Sequence, residues 1–172
     1  FVRMYYQRTF DAMIATPLLV EDVIAGELLW GATKAFGAGT IMLGMLTAFD
    51  LPVWPSAFWV LPLAAVGGLL FSSIGIIVTA LSPKIEAFNL PVFLLIFPMF
   101  LFSGTFFPLE QLPDWARQFA MVFPLTHVCS LIRGACLDLT PPLLVVHIVY
   151  VLLAVGALGW LAIKLMHRRL VK

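Results

Sequence analysis

The stretch FWVLPLAAVGGLLFSSIGIIVTAL, residues 58–81, contains no charged side chain. A helix of ~20 mostly apolar residues is long enough to cross the hydrocarbon core of a bilayer. Because lipid offers no partners for backbone N–H and C=O groups, a single apolar segment that crosses it must satisfy these groups within a helix. The stretch therefore predicts a membrane-spanning α-helix.

The rest of the chain has the same apolar character. Of its 172 residues, 62% are hydrophobic and 11% are charged, which is more apolar surface than a water-soluble domain of this length can bury. The net charge of +1 gives no indication of a nucleic-acid partner. We therefore predict a single all-α domain, a polytopic helix bundle. Its predicted spans are 24–48, 58–81, 88–107 and 143–164.

Lysine and arginine are distributed unevenly between the predicted loops. On this arrangement Arg117 and Arg133 lie on one side of the membrane. The opposite side holds a larger group, namely Arg3, Arg8, Lys84, Lys164, Arg168, Arg169 and Lys172. Because cytoplasmic loops carry the excess of positive charge, both ends of this chain, including the tail 165–172, are predicted to lie in the cytoplasm.

Residues 105–142 are too polar for an ordinary span and too apolar for a free loop. Pro113 can begin a short helix, and Pro124 breaks it. Thr126 is placed to cap a second short helix. Neither helix is long enough to cross a bilayer, so we predict a pair of helices, 108–137, that enters the outer leaflet and returns. Backbone of this kind is tolerated at membrane depth only against protein or a water-filled cavity.

The segment TFDAMIATPLLVEDVIAGELLWG, residues 9–31, is unusually polar for its position in this chain. Its first part can form a short amphipathic helix that ends at Pro17. A second helix then starts with Glu21 and Asp22 in its first turn, where carboxylates favour the positive end of the helix dipole. An amphipathic helix lying on lipid is one interpretation, but such helices are usually basic. A docking helix for a cytoplasmic partner is the other.

The same segment resembles the cytoplasmic coupling segment of ABC-2 type exporter permeases. Residues 102–134 are similar to the external region of that family. The matching motifs are SGTFFP (103–108), LPDW (112–115), PLTH (124–127) and Arg133. The resemblance extends over essentially the whole chain and is strongest to the NodJ-like branch, which is linked to lipo-oligosaccharide export.

The resemblance implies a permease with six membrane helices, of which this chain would hold helices three to six. It further implies that two permease subunits work with two ATPase subunits, and that residues 1–22 transmit the movement of the ATPase. The implied coupling residues are Phe10, Asp11, Met13, Ile14, Thr16, Pro17, Glu21 and Asp22. The implied residues of the external re-entrant helices are Pro108, Trp115, Pro124, His127 and Arg133.

No phosphate-binding loop of the pattern G-x-x-x-x-G-K-[ST] occurs in the chain. If ATP drives the protein, a partner ATPase must bind the ATP and Mg²⁺. His127 and His147 lack further ligands at a spacing that favours a metal site, and no nucleophile motif accompanies them. We predict no cofactor, metal or catalytic residue in this chain. Cys129 and Cys136 would lie two helical turns apart, too far for a disulfide, so both are predicted to be free, buried thiols.

Two sets of residues within the spans are candidates for a role in transport. Phe93, Phe97 and Phe100 recur at helical spacing, with Gly104 beyond them. They form either a packing face or the wall of a translocation path, because aromatic faces suit sugar rings and acyl chains.

Glu27 and Lys34 are seven residues apart, nearly on one face of the first predicted span. Intramembrane charges are costly and are often functional. Both also lie within reach of the cytoplasmic headgroups, where a structural role is sufficient.

Together these features predict the permease subunit of an ATP-driven exporter in the bacterial inner membrane. Its expected cargo is a lipid-linked saccharide or another amphiphile, and its expected partners are an ABC ATPase, a second permease copy and membrane lipids. Drug or antibiotic efflux is an alternative within the same family. A lipid-modifying membrane enzyme would need His, Asp or Glu side chains gathered at one cavity, whereas the acidic residues here are scattered. A membrane scaffold would not need the docking segment.

Overall fold

The computed structural model describes residues 19–82, 87, 89–106, 109–141 and 143–170. No strand occurs in this part of the chain, which confirms the all-α prediction for it. The α-helices are α1 (Val20–Ala48), α2 (Val60–Leu81), α3 (Asn89–Phe102), α4 (Asp114–Ala120), α5 (Pro124–Leu137) and α6 (Leu144–Leu170). The 3₁₀ turns Ser56–Trp59 and Leu109–Gln111 precede α2 and α4, and Val92–Ile96 within α3 forms a π-helical turn.

Two helices in the described residues have both the length and the apolar composition of a membrane span. They are Ser56–Leu81 and Leu144–Leu170, at the predicted spans 58–81 and 143–164. Helix α1 is long enough, with 29 residues, but its first half is charged. Helix α3 is apolar but shorter than the predicted span 88–107. The four-span count therefore stays a prediction.

Helices α4 and α5 follow each other across a sharp corner, where the chain bends by 92°. We refer to this pair, Asp114–Leu137, as the α4–α5 hairpin. Two short helices joined at a corner are the local structure predicted for this region. Whether the hairpin dips into a leaflet stays a prediction.

Helices α1 and α2 cross through two matching rows of small residues. At intervals of four, the rows are Gly31, Ala35 and Gly39 on α1 and Ala64, Gly68 and Ser72 on α2. A Cβ atom placed on Gly68 would lie 2.5 Å from the Ala35 Cβ and 2.9 Å from the Ala32 Cα. In lipid, where burying apolar surface gives little drive for association, such rows let two backbones approach closely enough to pack.

Helix α2 lies at the centre of the bundle, in contact with α1, α5 and α6. Its fully buried Leu70 packs with Val128 of α5 and Val151 of α6. At the opposite end of the bundle, Ile24 of α1 packs on Met166 of α6. The helix that contacts α1 thus also supports the hairpin and the last helix.

The last turn of α6 is fixed to the end of α2 by an arginine. Arg169 donates from Nη1 to the carbonyl oxygens of Thr79 and Ser82, the second at 2.8 Å. The final carbonyls of a helix have no partner inside it. The guanidinium therefore satisfies the end of α2 and holds the two span-length helices together.

Helix α3 stands at the edge of the bundle and packs mainly against the α4–α5 hairpin. A groove of about 770 Å³ separates it from α2 and α6. Leu95 and Met99 of α3, Ile77 of α2 and Leu158 of α6 lie along it, and Tyr150 is the one lining residue with a polar group. The groove is therefore apolar along most of its length.

Candidate functional site

The end of α3 is a tight turn held by an arginine from the hairpin. Ser103 and Gly104 are buried, and Gly104 has a φ of +80°, a conformation that favours glycine. Arg133 of α5 donates from Nη2 to the Gly104 carbonyl oxygen at 2.6 Å. Ser103 and Thr105 share a hydrogen bond of 2.9 Å between their hydroxyl oxygens. The motif residues 103–105 and Arg133 therefore form one unit in space.

The corner between α4 and α5 differs in one detail from the sequence prediction. Thr126 does not cap α5, because the helix already begins at Pro124 and its flanking residue is Phe123. Instead the buried Thr126 donates from Oγ1 to the carbonyl oxygen of Ala120 at 2.6 Å. Ala120 is the last residue of α4, so the hydroxyl fastens the two helices of the hairpin together.

An aromatic cluster packs the hairpin onto α3. The Phe102 ring lies 5.9 Å from Phe119 and 6.4 Å from Trp115, and Phe119 lies 4.9 Å from Phe123, all between centroids and all edge to face. This geometry is the one that aromatic pairs prefer. Trp115 remains 67% exposed, so the cluster also presents an aromatic surface outward.

A pair of histidines joins the hairpin to α6. His127 and His147 are buried, with their Nδ1 atoms 2.7 Å apart. Nε2 of His127 lies 2.9 Å from the Met121 carbonyl oxygen. The Tyr150 ring stacks on His127 with centroids 3.9 Å apart, and its hydroxyl donates to the Val122 carbonyl oxygen at 2.6 Å. Twenty residues separate the two histidines along the chain, so helical periodicity gave no signal of their contact.

No group of three or more His, Cys, Asp or Glu side chains that could hold a metal ion occurs in the described part of the chain. Cys129 and Cys136 lie on the same helix, are partly exposed rather than buried, and are free. The Cys129 sulfur is 3.7 Å from the Thr105 hydroxyl oxygen. The prediction of free thiols is confirmed, and the prediction that they are buried is wrong.

Three aromatic residues of α3, those of the predicted stripe, face away from the bundle. Phe93, Phe97 and Phe100 are 71%, 63% and 43% exposed. The π-helical turn between Val92 and Ile96 shifts the spacing of the first ring relative to the other two. Phe100 also contacts Phe106 edge to face at 5.0 Å. The predicted stripe is therefore an open surface in the single chain, and its role as a wall stays a prediction.

The charged residues of α1 lie on its first half. Glu21 and Asp22 are exposed in the first turn, as predicted, and Glu27 is half-buried. Lys34 is exposed, with its Nζ 5.3 Å from the centroid of the Trp30 ring, which is a cation–π contact. Their roles in coupling or gating stay predictions. Outside the described residues lie Phe10, Asp11, Met13, Ile14, Thr16, Pro17 and Pro108.

The family model for the ABC-2 type transporter matches residues 1–137. The chain belongs to the ABC-2 type transporter family. The match covers the N-terminal segment, α1 to α3 and the α4–α5 hairpin, so the resemblance seen in the sequence motifs is confirmed. This ABC-2 chain is a multi-pass membrane protein.

Named relatives of this ABC-2 chain come from several bacteria. Nodulation protein J of Sinorhizobium fredii is 36% identical over 170 residues, covering 99% of this chain and 65% of the relative. Nodulation protein J of Rhizobium leguminosarum bv. viciae is 41% identical over 137 residues, 80% of this chain and 53% of the relative. The probable multidrug ABC transporter permease YbhR of Escherichia coli is 24% identical over 139 residues, which cover 77% of this chain and 38% of the relative.

The ABC-2 chain thus spans 65% or less of the length of these relatives. No solved structure matches it at a significant level.

Proposed function

We propose that the chain is the larger part of the permease subunit of an ATP-driven exporter. Its cargo would be a lipid-linked saccharide or a similar amphiphile, moved outward across the bacterial inner membrane. The observation that carries this proposal is the ABC-2 family match over residues 1–137, which includes both the predicted coupling segment and the hairpin. The similarity to proteins named Nodulation protein J supports the NodJ-like branch, for which the resemblance in the sequence implies lipo-oligosaccharide export.

The translocation path in this proposal runs along the open face of α3. The exposed rings of Phe93, Phe97 and Phe100 form an aromatic surface. A sugar ring or an acyl chain can slide over such a surface, because phenyl rings form no strong directional hydrogen bonds. A second copy of the permease would supply the facing wall. The loose packing of α3 against α2 and α6, across the apolar groove, allows α3 to shift without breaking the core around Leu70.

The driving movement would enter at the start of α1. Residues 1–22 would dock on a partner ATPase that binds ATP and Mg²⁺. The tight crossing of α1 and α2 at Gly68 would make the two helices move as one body. Since α2 also contacts α5 and α6, the movement would reach the hairpin, which would shape the exit.

Drug or antibiotic efflux is a second candidate function. The similarity to the probable multidrug permease YbhR favours it, and an apolar groove with an aromatic face suits a hydrophobic drug as well as a lipid. The two candidates share the ATPase and the path and differ only in cargo.

Scrambling residues 9–22 of the full-length permease is expected to abolish recovery of its ATPase. The detergent-solubilised permease, intact or scrambled, would be captured from cells that co-express the ATPase, and nucleotide hydrolysis in the eluate would be measured. We expect ATPase activity with the intact segment and a decrease to background with the scrambled one. The control is equal permease yield and an equal gel-filtration volume for both forms. Recovery of the ATPase with both forms would remove the coupling role of 9–22. Recovery with neither would remove the exporter proposal.

A further inference from the structure

The buried contact between His127 and His147 has no role in the transport function proposed above. Both rings are almost fully buried, at 2% and 3% exposure. A carbonyl oxygen only accepts hydrogen bonds, so Nε2 of His127, which faces the Met121 carbonyl at 2.9 Å, carries a hydrogen. In a neutral pair the Nδ1 of His127 is then an acceptor. The hydrogen in the 2.7 Å contact between the Nδ1 atoms therefore comes from His147.

This arrangement limits how many protons the pair can hold. One added proton is compatible with the contact, because one facing Nδ1 can still be a donor and the other an acceptor. A second added proton places an N–H group on both facing atoms. Two donors at 2.7 Å have no acceptor between them, and both rings are then positive in a buried position. The contact cannot persist in the doubly protonated pair.

The helices packed around the pair hold few other titratable groups. Helices α2 and α3 contain none of the residues Asp, Glu, Lys, Arg and His. Helix α1 meets α6 at the far end of the bundle, near Met166. On α4, α5 and the first turns of α6, the remaining titratable or charged side chains are Asp114, Arg117, Cys129, Arg133, Cys136 and Tyr150. Asp114 and Arg117 are exposed and Arg133 is hydrogen-bonded to Gly104, so the two buried imidazoles are the groups at this contact that can take up a proton.

We propose that the His127–His147 contact is a proton-sensitive latch between the α4–α5 hairpin and α6. The latch is closed while the pair holds at most one added proton, and it opens when both rings are charged. Opening would remove one of the two side-chain hydrogen bonds that hold the start of α5 on α6, the other being the Tyr150 hydroxyl bond to the Val122 carbonyl, whereas the Thr126 bond to Ala120 would keep the two hairpin helices together. The hairpin would then move as a unit. That this movement would gate an exit rests on the function proposed above, but the latch itself does not.

The test compares the wild type with two substitutions at one position. In His147→Asn, the side-chain amide can replace the Nδ1 donor or turn its oxygen toward a charged His127, so the contact persists at every pH. In His147→Phe, no hydrogen bond is possible. Spin labels on Gln118→Cys of α4 and Gly156→Cys of α6, with the native cysteines removed from the full-length protein, report the separation. Both positions are exposed, and Gly156 has open space for a side chain.

Distances between the labels would be measured from about pH 7.5 to about pH 4.5, which brackets the ordinary titration of imidazole. We expect the wild type to gain a longer-distance population as the pH falls, His147→Asn to keep the short distance throughout, and His147→Phe to show the long distance at neutral pH.

An unchanged wild-type distance over the whole range would overturn the latch. So would an equal shift in His147→Asn, since another group would then be titrating. If His147→Phe does not fold, the comparison of the wild type with His147→Asn still tests the latch. A failure of ATPase binding would leave these distances unaffected, so the two proposals fail separately.

Discussion

Replacing Gly68 by leucine is expected to separate α1 from α2 and to destabilise the permease severely. Even a single Cβ atom there would lie 2.9 Å from the Ala32 Cα and 3.1 Å from the Gly31 carbonyl oxygen. These neighbours are backbone atoms and cannot move without shifting a helix. Overpacking of a close interface costs about 3 kcal/mol, a large part of the stability of a domain. We expect a clearly lower melting temperature in detergent and poor recovery of folded protein.

The matched control is Gly75→Leu, on the same helix. A Cβ atom on Gly75 has nothing within 4 Å, and the residue is exposed. The two variants therefore introduce the same side chain into the same helix and differ in the contact alone. We expect Gly75→Leu to melt close to the wild type. Equal melting temperatures for the two variants would show that the small-residue crossing does not hold α1 against α2.

Replacing Arg133 by methionine is expected to reduce export strongly while leaving ATPase binding intact. Methionine keeps much of the length of the side chain but cannot donate to the Gly104 carbonyl, which Arg133 reaches at 2.6 Å. A hydrogen bond from a charged donor contributes about 2 kcal/mol, and each ~1.4 kcal/mol is a factor of ten in a population. We expect the turn after α3 to leave the hairpin and the transport rate to fall by about tenfold or more.

Arg117→Met is the control for the lost charge, because Arg117 is exposed on α4. Transport would be measured with both variants at equal amounts of assembled permease and ATPase. An equal decrease in the two would indicate that positive charge near the hairpin, rather than the bond to Gly104, supports transport. Unchanged export by Arg133→Met would remove the turn from the proposed exit.

The parts of the fold that depend on local pattern could be predicted from the sequence. Helix α1 starts at Val20 with Glu21 and Asp22 in its first turn, and α2 and α6 lie at two of the predicted spans. These features follow from runs of apolar residues and from the proline at position 17. Helix α3 is shorter than predicted because the backbone turns at Gly104, where φ is positive. A hydropathy pattern does not register such a turn, although the pair Ser103 and Gly104 in the sequence allows the backbone to turn there.

Contacts between helices could not be predicted from the sequence, with one exception. The histidine contact joins residues on α5 and α6, and the bond from Arg133 joins α5 to the end of α3. No spacing along one helix reports which helices are neighbours. The sequence predicts a cap at Thr126, because a threonine hydroxyl near the start of a helix usually accepts from the free backbone N–H groups there. The exception is the small-residue crossing, which was not predicted although its interval of four residues on each helix is visible in the sequence.

The central claim is tested most directly by transport in inverted membrane vesicles that contain the full-length permease and its ATPase. The probe would be a fluorescent lipid-linked oligosaccharide, with a hydrophobic cationic dye in parallel as a drug-like cargo. We expect the saccharide to accumulate inside the vesicles with ATP, and not with a non-hydrolysable analogue or with residues 9–22 scrambled. Accumulation of the dye alone would select drug efflux. If the assembled complex hydrolyses ATP and neither probe accumulates, the assignment of this chain to an exporter of amphiphiles is contradicted.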